Sequence, residues 1–387
     1  MNVEFDVWWI LVGVGLFAAG WFAARVDIKL LVKESKALPG WYFKGLNHLL
    51  NNQSDKAIES FVEVVKERPD TLELQFALGQ LFRKQGEIER ATRIHQELLA
   101  RPHLTHAHRQ RAIYELAQDY NAAGLLDRAE EYFQQLKGTP HEHASLEFLI
   151  RIYEMEKDWD KAITATKELE SVSKIPYARQ LGQYHCERSS AALTKGELER
   201  AGAEAIAALN QNKRCARAHH LLGDIAKAKG QIEAAITHWE ACFAQDAQGI
   251  GLVAQRLAES YETLGRPEVG ISQLKYYQAQ VPSQDVLNAL LGLIRRTSGD
   301  ASALTFLREE LQRAPTLSGV EQFTSLLKRN DDDDALIHDV LAANTRAGGT
   351  YPCSRCGFRA RTYYWQCPGC VQWESFVPKR QEALDVR

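Results

Sequence analysis

The sequence predicts an all-α array of paired helices, preceded by a single transmembrane helix and closed by a small metal-binding domain. Three observations carry this reading: an uncharged apolar run at 7–24, a helix-pair pattern recurring every 33 to 39 residues, and four cysteines crowded between 353 and 370. A chain of 387 residues has room for two or three ordinary domains. Its 47 basic and 50 acidic residues nearly cancel, to −3. That balance neither favours nucleic acid as a partner nor suggests disorder.

The apolar run reads VWWILVGVGLFAAGWFAA, from Val7 to Ala24. As a helix it spans roughly 27 Å, enough for a hydrocarbon core, and Trp8, Trp9 and Trp21 sit near its ends, where interfaces favour such rings. A cleaved signal peptide is the competing account, but its flanks would be reversed. Glu4 and Asp6 precede the run, while Arg25, Lys29, Lys33 and Lys36 follow it. The positive-inside rule places the first six residues outside and everything after Arg25 in the cytoplasm. Residues 1–28 thus form the anchor. Gly15 with Ala19, and Gly20 with Ala24, would let another transmembrane helix approach closely, that of a second copy in a homodimer included.

From 38 to 316 the helix-turn-helix unit repeats. The small residue of each first helix falls at Gly45, Gly79, Ala117, Ile150, Ser189, Gly223, Ala258 and Gly292, with Ile150 the misfit. Twelve residues later comes the small residue of the second helix: Ala57, Ala91, Ala129, Ala162, Ala201, Ala235 and Gly270, with Leu304 in the eighth unit. Small residues there let paired helices approach, and large ones four along, such as Phe61 and Phe133, fill the gap to the next unit. Gly86, Gly124, Gly196, Gly230 and Gly265 supply the turn ending the first helix. The extra residues before units three and five imply lengthened loops, and a degenerate ninth pair covers 317–347. The period, with Trp41, Leu78-Gly79, Phe82, Tyr120, Leu222-Gly223, Trp239, Tyr261 and Pro282, resembles the tetratricopeptide repeat. That resemblance implies a superhelix whose concave face holds a peptide or helix of a partner, against the plainer account of a spacer.

Catalytic motifs are absent. His103, His106 and His108 cluster in one inter-unit turn and His141-Glu142-His143 in another, neither with the i, i+4 spacing of a zinc hydrolase. There is no phosphate-binding glycine loop and no nucleophile elbow, so the expectation is no enzyme. Asn330 followed by Asp331 to Asp334 reads as a capped, acidic helix start rather than a calcium loop. Cys186, Cys215 and Cys242 lie singly in helical patterns, as buried small residues do, and a reducing compartment fits better than a disulfide framework.

The remaining cysteines are different. Cys353-Ser-Arg-Cys356 and Cys367-Pro-Gly-Cys370 are two CxxC pairs ten residues apart. Two thiolates three apart reach one ion from a tight turn, and a second turn completes a tetrahedron. The domain 348–387 is too short to bury a sufficient core, so one iron or zinc ion serves as the missing core, with Phe358, Tyr363, Tyr364, Trp365, Trp373 and Phe376 packed around it. Gly357 and Pro368-Gly369 resemble the turns of rubredoxins and zinc ribbons, in which backbone N–H groups point at the sulfurs. Val371 stands where rubredoxins usually have glycine, and the connector is shorter than in electron carriers; both weaken a redox role. The tail from Arg346 carries seven Lys/Arg against three Asp/Glu, including Arg355, Arg359 and Arg361, which keeps an RNA-binding module as an alternative beside electron transfer.

Anchor, repeats and terminal knuckles, in that order, resemble the lipopolysaccharide assembly protein B family. The resemblance implies a bacterial inner-membrane adaptor with iron at Cys353, Cys356, Cys367 and Cys370. It also implies that the knuckle domain packs on the repeats. The implied partners are an FtsH-type membrane protease, the lipid A deacetylase whose destruction the adaptor promotes, and other lipopolysaccharide assembly proteins.

Overall fold

The computed structural model describes residues 14–18, 20–21, 40–67, 71–327, 340–341 and 349–381. The chain divides into two compact bodies, Met1–Ile152 and Tyr153–Arg387, the division falling inside one helix. Both are helix-pair arrays of the tetratricopeptide kind.

The first body pairs α1 (Gly40–Leu50) with α2 (Ser54–Glu67), α3 (Leu72–Lys84) with α4 (Ile88–Leu99), and α5 (His106–Ala122) with α6 (Leu126–Gln134), and it includes most of α7 (Glu142–Glu156). The second continues with α8 (Trp159–Ser173), α9 (Ala178–Thr194), α10 (Leu198–Gln211), α11 (Ala216–Ala228) and α12 (Ile232–Gln245). A 3₁₀ turn (Ala247–Leu252) leads into α13 (Ala254–Thr263), α14 (Pro267–Gln280), α15 (Gln284–Arg313) and α16 (Leu317–Leu326). Strands β1 (Tyr351–Pro352) and β2 (Arg359–Ala360) pair antiparallel, Tyr351 opposite Ala360.

The repeat logic survives at atomic scale. A Cβ added at Gly45 would lie 2.6 Å from the Phe61 ring, and the same intrusion occurs between Gly79 and His95 and between Gly223 and Trp239. In these three units the ring four residues after the second-helix alanine therefore rests on bare backbone of the partner helix. Trp239 is fully buried there, its Nε1 donating to the His220 carbonyl at 3.3 Å and to Asp224 Oδ1 at 3.2 Å. In the first body His95 takes the equivalent place and bonds Asp119 at 2.5 Å; Arg83 pairs with Asp119 and with Glu115, both at 2.6 Å. These side chains link α3, α4 and α5, pairing the buried carboxylates with Arg83 and His95.

Seven residues after each first-helix position, the chain turns through positive φ at Asn52, Gly86, Gly124, Lys157, Gly196, Gly230, Gly265 and Gly299. At Asn52 the side chain is one that tolerates the left-handed turn, whereas Lys157 is neither glycine nor visible as a turn signal in the sequence. The eighth unit departs from the expected register. Gly292 meets only Arg296, and the small buried residue of its second helix is Ala303, not Leu304, because the chain reverses through an extended Gly299 (φ 83, ψ 173) that puts the following helix one residue out of step.

The extra residues before units three and five are also not chiefly loop. They lengthen the first helices: α5 and α9 have 17 residues, against 13 in α3 and α11. Thr105 fixes the start of α5 by accepting from the His108 N–H at 3.3 Å.

Most of the apolar run at 7–24 lies outside the described residues, and within it 14–18 and 20–21 are helical. Among the described residues no helix is long and apolar enough to cross a membrane. The acidic stretch 331–334 also lies outside them. Of the pair expected over 317–347, α16 is the first member, and the second falls outside except for 340–341.

Candidate metal centre

The knuckles are built by two short loops of matching geometry. In the first, the Gly357 N–H donates to the Cys353 carbonyl at 3.0 Å; in the second, the Val371 N–H donates to the Cys367 carbonyl at 2.8 Å. Each loop ends on a residue of positive φ, Gly357 at 76° and Val371 at 58°. Bridges between Cys353 and Phe376 and between Gln366 and Trp373 hold the loops to the flanking chain.

The result is convergence. The four sulfurs lie within 4.8 Å of one another, with Cys353 to Cys370 and Cys356 to Cys367 both 3.7 Å apart. A tetrahedral ion with metal–sulfur bonds near 2.3 Å needs sulfurs about 3.8 Å apart, so the donor set fits. Among the described residues this is the one group of His, Cys, Asp and Glu side chains arranged to hold a metal. The histidine clusters form no such set: His108 lies 3.4 Å from Glu73, and His141 stacks on Tyr114 at 4.8 Å.

The loops also prepare the sulfurs for charge. Burial opposes a Cys353 thiolate, but the Ser375 hydroxyl and the N–H groups of Cys356 and Arg355 outweigh it and bring the pKa down to about 6. Burial pushes Cys367 up, against the N–H groups of Cys370 and Gly369. Ser375 is buried, with its Oγ 3.3 Å from Cys353 Sγ and 3.0 Å from the Gln372 carbonyl; no spacing rule singled it out. Cys353 and Cys367 are enclosed, whereas Cys356 is open to solvent.

The aromatic residues divide into two sets. Tyr351, Phe358, Tyr363 and Tyr364 gather with Phe376 as the domain's own core. Trp365 packs edge-on against Tyr363 at 5.0 Å and also faces the repeats, whereas Trp373, expected in that core, turns to the repeats instead. Trp373 meets Trp159 and Tyr184 edge-on at 6.1 and 6.0 Å, and its Nε1 donates to Glu154 Oε1 at 2.8 Å, an atom that also accepts from Tyr184 OH at 2.7 Å. Trp365 stands edge-on to His220 at 5.6 Å and under the Arg217 guanidinium. Glu374 accepts from Gln183 at 2.7 Å and pairs with Arg179 at 3.2 Å. At the far end Tyr351 OH and Arg380 both donate to Asp285, at 3.0 and 3.1 Å. A domain this small completes the burial of its rings by docking.

The repeat residues in these contacts lie on α7, α9, α11 and α15, the first helices of their pairs, or at the start of α8. In units four, five, six and eight the chain's own C-terminal domain therefore occupies part of the first-helix face.

Comparison with known proteins agrees with this architecture. A family model described as a rubredoxin metal binding domain matches residues 351–378, and tetratricopeptide repeat models match 44–102 and 216–248. Lipopolysaccharide assembly protein B of Escherichia coli K12 is 31% identical over 371 residues, covering 94% of this chain and 95% of that protein. The chain belongs to the lipopolysaccharide assembly protein B family. The Haemophilus influenzae protein of that name is 29% identical over 378 residues, covering 93% and 95%. The four convergent cysteines lie within the segment matched as metal binding.

Proposed function

We propose that the chain is a membrane-anchored, non-enzymatic adaptor in lipopolysaccharide assembly. Residues 7–24 cross the bacterial inner membrane with the N-terminus periplasmic, and the rest works on the cytoplasmic side. The adaptor brings the lipid A deacetylase to an FtsH-type protease, so that more adaptor means less deacetylase.

One observation carries the reading. Four thiols fill a tetrahedral donor set, leaving no open position for a substrate, and the domain they organise is clamped to the repeats by Trp365, Trp373, Glu374 and Arg380. A closed site of this kind stiffens a surface and does not turn over substrate. The ion it would take is iron or zinc, since tetrathiolate geometry suits both; it supplies folding energy. With part of that face in units four, five, six and eight occupied, partners grip units one to three or the solvent side of the knuckles.

The test is the half-life of the deacetylase in cells lacking the chain, complemented with the full chain or with residues 29–387. A several-fold lengthening, reversed by the full chain alone, is expected. An unchanged half-life refutes the adaptor, and full rescue by 29–387 refutes the need for an anchor. Crosslinking in intact membranes, followed by capture of the chain, should recover protease and deacetylase together.

A further inference from the structure

The first helix of the array carries an apolar stripe that the repeat architecture leaves bare. In later first helices the position two before the small residue is covered by the preceding unit: Leu221 in α11 is 8% exposed and Glu115 in α5 is 4% exposed. The corresponding residue of α1, Phe43, is 59% exposed, and on the same helical face Leu46 and Leu50 are 43% and 79% exposed. Terminal repeats ordinarily present a polar outer face to water. Here the outer face is apolar, which marks it as covered by something other than solvent.

We propose that Phe43, Leu46 and Leu50 lie in the interfacial layer of an anionic lipid leaflet, so that α1 rests on the membrane. This rests on the anchor reading above and goes beyond it, since an anchored array could equally hang free on its linker. Two features favour lipid over a protein partner. The apolar run ends at Ala24 and α1 begins at Gly40, leaving 15 residues between, which extend to about 50 Å at most and keep α1 beside the leaflet. The charge is also of the right sign. The segment 25–50 holds Arg25, Lys29, Lys33, Lys36 and Lys44 against Asp27 and Glu34, a net of +3, and α1 contains no acidic residue, whereas every other first helix contains at least one. An apolar helix face with a basic surplus and no acid is the pattern of helices that lie in an anionic interface.

The experiment places the photoreactive benzoylphenylalanine at position 43 or 50 of the full chain, with exposed Ile206 of α10 as control, in nanodiscs of phosphatidylglycerol and phosphatidylethanolamine. After illumination, intact mass is expected to show a single phospholipid added at 43 and at 50 with at least tenfold the yield at 206, falling several-fold in phosphatidylcholine discs. A chain–chain adduct, an adduct within the chain to 22–39, or yields equal to the control each overturn the proposal. Alkaline carbonate extraction separates the two ideas. A chain that is released refutes the anchor; one that stays bound without lipid adducts refutes only the resting of α1 on the leaflet.

Discussion

The two knuckles share a loop and differ in everything around it. The first, Cys353 to Gly357, faces solvent: Cys356 is exposed, Phe358 beside it is 42% exposed, and the turn is made by glycine. The second, Cys367 to Val371, is flanked by Gln366, Trp373 and Glu374, which reach Glu154, Trp159, Tyr184, Gln183 and Arg179 on the repeats. One loop offers two thiols to an ion and little else. The other offers two thiols and also grips the scaffold, so an ion and the repeats would support the same few residues.

The largest effect should come from cutting that double duty at the sulfur. In the full chain, Cys367→Ser is expected to reduce bound metal from one equivalent to near zero and to expose the amides of 349–381 to rapid hydrogen exchange. Cys356→Ser, at the solvent-facing knuckle, should weaken the metal but leave Trp373 protected. Metal content that stays at one per chain in Cys367→Ser would sink the tetrathiolate assignment.

Next in size is a pH effect confined to the docked side. His220 lies under Trp365, and burial, with Arg256 and Arg217 beside it, lowers its pKa from 6.5 to about 3. A folded value below the unfolded one means the stability is complete above about 6.5 and is lost as pH falls toward 3. The drop corresponds to roughly 5 kcal/mol at most. Denaturant melts from pH 7 to 4 should show residues 153–387 weakening, and His220→Gln should flatten that slope; a slope unchanged by the substitution would assign the acid sensitivity elsewhere.

Trp373→Ala and Phe358→Ala then compare the two sides directly. Trp373 loses two aromatic neighbours and its bond to Glu154, for about 3 kcal/mol; the half-exposed Phe358 should cost under about 1 kcal/mol. Equal losses in urea unfolding would mean that the knuckle domain is not braced by the repeats.

The fold was legible where a rule has one physical cause. Glycine or alanine opposite a ring, as at Gly45, Gly79 and Gly223, fixed the repeat frame, and CxxC spacing located the ligands. What stayed hidden depends on distant partners. Trp365 and Trp373 look like core residues of a small domain until Glu154 and His220, some 150 to 220 positions earlier, are brought beneath them. Ser375 follows no motif, and Lys157 turns the chain through positive φ because flanking helices demand it, not because its side chain favours it. The eighth unit shows the limit of periodicity itself: Gly299 keeps the sequence count while changing the backbone path, so Leu304 is in register on paper and Ala303 in space.

The smallest predicted effect concerns Val371, the residue that most clearly separates the knuckles. A β-branched side chain at φ 58° is strained by an order of 1 kcal/mol or more, and it persists only where neighbours fix the backbone. Those neighbours are present: Gln366 donates to the Val371 carbonyl at 3.2 Å, the Cys367 N–H to the Gln372 carbonyl at 2.9 Å, and the Glu374 N–H to the Trp365 carbonyl at 2.7 Å. These bonds, in a segment whose Gln366, Trp373 and Glu374 also reach the repeats, hold the second loop in a shape that the first reaches with glycine. Val371→Gly should therefore stabilise the domain by about 1 kcal/mol in wild-type context. The gain should shrink when Trp373→Ala removes the clamp, because the freed loop can then relax the strain at the valine by itself. A double-mutant cycle in urea reads this coupling, and strict additivity of the two substitutions would show that the strain and the docking are independent.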